Sequence, residues 1–241
     1  MLRYFYISGT VDDGIPARDL TFKYAHDASH AAIFNYASMA GNNHFFFERL
    51  HSRGTQPSSS FLTDIKESFD SLDTLKTEMI ETADAMFGNG FVWLFKEDTT
   101  SLLRIFCTYN AGSPWPQAHY RLQNRDMATE YVQVGSNAAE QQRLGTVQNP
   151  AGKFGNHSRP PGQPVAPIGG LMGGPILCVN VWQHMYLRDY GVGMGAKKQY
   201  LENWWNQIDW GMVEQSAHIY GTTYTKGSDY SRRVSRSMSR F

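Results

Sequence analysis

The stretch VNVWQHMY, Val179 to Tyr186, places an amide at Asn180 and an imidazole at His184, four residues on. It has the look of a transition-metal segment in which polar donors have been changed to their amides. Imidazoles and carboxylates hold such metals well, whereas neutral amides hold them weakly. Further imidazoles stand at His26 and His30, an i,i+4 spacing that puts two side chains on one helix face. The thiols Cys107 (in RIFCTY) and Cys178 (in PILCVNVW) sit among apolar residues and form no CxxC pair. They read as buried and reduced, neither ligands nor a disulfide. In the last residues, Lys226, Arg232, Arg233, Arg236 and Arg240 stand against Asp229 alone. Cations beside phosphate gain charge-assisted contacts and release counterions, and Tyr224, Tyr230 and Phe241 offer rings that stack on bases. These five cations are the RNA-binding candidates.

The elements that must position these groups are legible in the spacing of apolar residues. Phe22, Tyr24, Ala25, Ala31, Ala32, Phe34 and Ala37 recur at helical intervals, so residues 17–50 read as helical, and Phe45-Phe46-Phe47 with Leu50 continues the face. Ser52-Arg53-Gly54-Thr55 with Pro57 breaks the pattern. Leu62, Ile65, Phe69, Leu72, Leu75, Met79, Ile80 and Ala83 predict two more helices, the second capped by Ser71 or Asp73. The period then changes. Gly90–Phe95 and Leu102–Tyr109, rich in aromatic and β-branched residues, predict two antiparallel strands joined by a polar turn. Ile176–Val181 reads as a buried strand, Tyr186–Tyr190 as a turn, Tyr200–Trp205 as an aromatic helix, and Asp209 opens a last helix ending near His218. Proline, glycine, glutamine and asparagine crowd the stretch between, so 115–173 reads as a long insertion, with a short helix within 123–144. The division is a helical region over 1–86, an α/β domain over 87–218 carrying that insertion, and a basic flexible tail over 219–241.

Composition sets wider bounds. The chain has 241 residues, 41% of them hydrophobic, and a formal net charge of +0, so no global charge draws it to nucleic acid. No apolar run approaches the length of a membrane span. The start, MLRYFYISG, carries neither an apolar targeting core nor the arginines of a transit peptide.

Four segments then come in one order: FGNGFVWLF (87–95), LLRIFCTYNAGSPW (102–115), PILCVNVWQHMYLRDY (175–190) and YLENWWNQIDW (200–210). Together they resemble the C-terminal half of the iron/manganese superoxide dismutases. IFNYASMAGNNHFFFERL (33–50) is similar to the second helix of the N-terminal hairpin in the same enzymes, and Asn110-Ala111-Gly112 is closer to their iron-type branch. The resemblance implies an α+β fold: an N-terminal helical hairpin, here with its first helix missing, then an α/β domain with a small antiparallel sheet.

A dismutase of this kind holds its metal with three imidazoles and one carboxylate. The resemblance gives the second imidazole position to Asn43 and the carboxylate position to Asn180, and keeps a histidine only at His184. His44 is one residue too far along, and one residue rotates a helical side chain by about 100°. Met39 stands where the iron-type enzymes have a glutamine, Gln183 where an interface glutamate is expected, and Leu187 where an interface tyrosine is expected. The resemblance therefore implies degenerate ligand positions at Asn43, Asn180 and His184, no metal, no cofactor and no catalytic residue. His184 is expected to be a hydrogen-bonded core histidine, with Trp93, Trp182, Trp204, Trp205 and Trp210 packing the core.

Dismutase-like proteins that have lost metal ligands occur in the small subunit of fungal mitochondrial ribosomes, as a pair of related chains. The resemblance thus points to a mitochondrial ribosomal protein with ribosomal RNA and other small-subunit proteins as partners, in a heterodimer with a second dismutase-like subunit, and no membrane. The alternative is a divergent dismutase with a site rebuilt from His26, His30, His44 and His184. A third possibility is a subunit of another mitochondrial complex.

Overall fold

The structure is a computed structural model that describes residues 10–98, 100–119 and 173–220. The helix expected within 123–144 and the basic tail lie outside the described residues. Helix α1, Ala17–Tyr24, carries Asp19 in its first turn and Lys23 in its last, both on the side the helix dipole favours. It does not continue into the next helix. Asp27 accepts from the Ser29 amide and caps a single 3-10 turn, Ala28–His30, before α2 runs from Ala31 to Glu48. The unbroken helical reading of 17–50 is thereby corrected: a local aspartate cap outcompetes the apolar period. Leu20 of α1 packs on Ala37 of α2, so a helical hairpin stands here with a short first arm.

Helices α3, Ser59–Phe69, and α4, Leu72–Ala85, both begin with serine caps, the second of them expected. Ser58 accepts from the Phe61 amide and Ser71 from the Thr74 amide. Phe61, Ile65 and Phe69 form one buried stripe, and Leu75, Met79, Ile80 and Ala83 another. The sheet orders its strands β2-β1-β3, with β1 (Gly90–Glu97) antiparallel to both β2 (Leu103–Tyr109) and β3 (Gly173–Asn180). Strand β1 is buried on both faces from Gly90 to Lys96, which explains its near-continuous apolar run. Strand β3 starts three residues earlier than the sequence suggests, so Pro175 lies in the sheet. It pairs with Phe95 where the register slips between Leu94 and Phe95, and an irregular edge tolerates the missing amide hydrogen.

After β3 come a 3-10 turn (Gln183–Met185) and a single helical turn (Leu187–Tyr190), then α5, Ala196–Trp205, and α6, Trp210–Ile219. Asp209 caps α6 by accepting from Gly211 and Met212. The end of α2 is laced to the α5–α6 link: His51 donates to the Gln207 carbonyl and Asp209 to the Arg49 carbonyl. Gly54 is required there. Its φ is +59°, and a Cβ would come 2.2 Å from the Asn206 oxygen. The continuous core gathers Phe46, Ile65, Met79, Trp93, Leu177 and Leu201 from helices and sheet alike.

Candidate functional site

Helix α2 and the last residue of β3 meet at the two amides singled out by the sequence. The Asn180 Nδ2 donates to Asn43 Oδ1 at 2.8 Å. Asn43 Nδ2 donates back along its own helix to the Met39 carbonyl at 3.0 Å. Asn180 Oδ1 accepts from the Trp182 amide at 2.9 Å, and Asn180 itself is 0% exposed. Its backbone carbonyl accepts from the Tyr200 hydroxyl at 2.8 Å. One turn from Met39, Asn42 is buried and donates to the Gly112 carbonyl. Each side-chain nitrogen and oxygen of the Asn43–Asn180 pair therefore has a protein partner.

The histidines are elsewhere. His44 points out of the helix, pairs with Glu48 at 2.9 Å and leaves its side chain 71% exposed. The one-residue rotation does what the helical geometry requires. His30 is exposed and held by Asp27 and Ser29. His26 and His30 lie on either side of the helix break, so they do not share one helix face. His184 corrects an expectation. It is exposed, with its ring against Trp182 at a centroid distance of 5.6 Å. The cause is local: the strand ends at Asn180, and the 3-10 turn that follows carries His184 outward. The tryptophans mostly follow expectation. Trp93, Trp204, Trp205 and Trp210 are buried, Trp93 donating to Thr108 at 2.9 Å, while Trp182 is half-buried.

The donor chemistry does not suit iron or manganese. Two neutral amides whose oxygens already accept hydrogen bonds are weak ligands for such a metal, and the retained imidazole is exposed. Among the described residues no group of three or more His, Cys, Asp or Glu side chains could hold a metal ion. Burial pushes the thiols of Cys178 and Cys107 upward, so both are protonated at neutral pH and are poor ligands.

Sequence comparison agrees with this geometry about ancestry. The profile of the iron/manganese superoxide dismutase C-terminal domain matches residues 57–128 and 147–216. The chain belongs to the iron/manganese superoxide dismutase family. Among its relatives, the small ribosomal subunit protein mS42 of Schizosaccharomyces pombe is 29% identical over 81% of this chain and 70% of its own length. The small ribosomal subunit protein mS43 of the same organism is 24% identical over 87% of this chain and 69% of its own. An iron superoxide dismutase of Babesia bovis is 22% identical over 84% of this chain and 74% of its own. The dismutase family thus reaches this chain through enzymes and through ribosomal proteins.

One feature of this dismutase-family chain escapes a reading by motif. Gln183, Tyr186, Leu187, Gly191, Val192 and Lys197 line an open cavity of about 490 Å³. Val192 and Met194 beside it are 89% and 106% exposed. The alternation Gly191-Val192-Gly193-Met194-Gly195 was the available signal, since glycines at every second position leave the apolar residues between them nothing to pack on.

Proposed function

We propose that the chain is a structural protein of the small subunit of the mitochondrial ribosome, a superoxide dismutase fold that catalyses nothing. One observation carries the reading. The two positions given to a metal's imidazole and carboxylate are amides bonded to each other, in a chain whose relatives include two small ribosomal subunit proteins. The work of the fold is then to present surfaces. The insertion over 115–173 and the tail over 219–241 are its extensions toward ribosomal RNA and neighbouring proteins, with Lys226, Arg232, Arg233, Arg236 and Arg240 as phosphate contacts. A second dismutase-like subunit is the proposed neighbour at the face of Gln183 and Leu187, where the exposed Val192 and Met194 favour an apolar protein contact over a charged one.

The test uses the full chain from its native organelle. Iron and manganese are measured in the purified chain, and mitochondrial lysate is fractionated by sedimentation. The expected result is substoichiometric metal and migration with the small ribosomal subunit. Metal near one atom per chain, with the protein in a light fraction, overturns the reading in favour of a dismutase.

A further inference from the structure

We infer that the Asn43–Asn180 pair has replaced a metal as the tie between α2 and β3, and that its two members are matched in polarity, so that position 180 cannot return alone to a carboxylate. The inference rests on the reading that this chain works without a metal. The direction of each hydrogen bond supports it.

The two ends of the relay are backbone groups whose roles are fixed. The Trp182 amide can only donate, so the atom of Asn180 it meets is the oxygen. The Met39 carbonyl can only accept, so the atom of Asn43 it meets is the nitrogen. These two anchors leave an N–H of Asn180 facing the oxygen of Asn43, which is the bond present at 2.8 Å. Neither amide can flip without setting two acceptors or two donors against each other. The relay therefore has one orientation, and it ties the middle of α2 to the end of β3 through its two side chains.

A carboxylate at position 180 breaks this arrangement despite having the same shape. It keeps an oxygen for the Trp182 amide but turns its other oxygen on the oxygen of Asn43. Asn43 cannot answer by flipping, because its own oxygen would then meet the Met39 carbonyl. The result at a position with 0% exposure is either a buried charge facing a repelling oxygen or a carboxyl that must take up a proton at neutral pH to donate to Asn43, and both cost stability. A histidine at position 43 changes that, since a ring N–H can donate to the carboxylate. A carboxylate at 180 is thus matched by an imidazole at 43 and opposed by an amide there, whereas an amide at 180 is matched by the oxygen of Asn43.

The experiment compares thermal midpoints of the full chain and five variants at neutral pH: Asn180→Asp, Asn43→His with Asn180→Asp, Asn43→Ala, Asn180→Ala, and Asn43→Ala with Asn180→Ala. Each is measured with and without added Fe(II) or Mn(II). The expected result is a drop of several degrees for Asn180→Asp, partial recovery in the His/Asp double variant without metal, and alanine changes that are less than additive. Neither metal raises the midpoint of the parent chain or of Asn180→Asp. If Asn180→Asp does not fold, additivity in the alanine set decides. A midpoint unchanged by Asn180→Asp overturns the inference, as do additive alanine effects or one metal atom per chain bound and stabilising in Asn180→Asp. These outcomes leave the ribosomal reading standing, since that reading fails only on metal and sedimentation of the unmodified chain.

Discussion

Arg49 shows how much one side chain holds. It is 4% exposed, and its guanidinium donates to the Ile176 carbonyl at 2.9 Å, the Phe45 carbonyl at 3.0 Å and the Ser216 hydroxyl at 2.8 Å. It lies over the Phe45 ring at 3.2 Å and reaches Glu48 at the rim. One fork thus joins α2, β3 and α6, a geometry that lysine's point charge does not reproduce. Arg49→Ala leaves a cavity and three acceptors short of a donor, so it should cost about 3 kcal/mol of unfolding free energy, read from urea denaturation. Arg49→Lys should recover only part of it. Nothing in the sequence distinguished this arginine from its surface counterparts, because its partners lie 127 and 167 residues away along the chain. Asn43 against His44 was legible by contrast, since helical rotation alone separates inside from outside. His184 was not, because its direction depends on where β3 stops and which turn follows.

At the scale of elements, the α3–α4 corner is the most local device in the fold. The chain turns through Asp70 at a φ of +64°, and Ser71 then caps α4 through the Thr74 amide and hydroxyl. Ser71→Ala should therefore cost about 1 kcal/mol, measured as a lowered denaturation midpoint with an unchanged slope. Asp73, the other capping candidate, sits inside the first turn, where it supports the dipole instead. These helices were readable because cap and apolar stripe speak for the same ends. The strands were readable because β1 and β2 concentrate aromatic and β-branched residues over a period of two or none. The start of β3 was obscured by Gly173, Gly174 and Pro175, which propensity assigns to a loop. Tertiary context overrides that preference: the Tyr220 ring packs on Gly174, where a Cβ would come 2.0 Å from it and displace it.

The same packing matters to the whole molecule. Tyr220, the last described residue, packs beside Gly174 where β3 begins, so the end of α6 is held against the first residues of the sheet's last strand. If the tail binds phosphates, Arg232→Ala, Arg233→Ala and Arg236→Ala together should weaken association with the small ribosomal subunit. The salt dependence of binding should flatten by about 0.9 logarithmic units for each duplex phosphate the variant no longer neutralises. An unchanged sedimentation profile at all salt concentrations would remove the tail from the interface. The sheet order β2-β1-β3 has a last consequence. Strand β3 recognises its place through eight buried residues and a register against β1, not through the path by which it arrives. The entropy of closing a loop rises only with the logarithm of its length, about 0.6 kcal/mol for each doubling. The link between β2 and β3 is therefore a position where a lineage can lengthen the protein by whole segments while the core beneath stays almost equally stable.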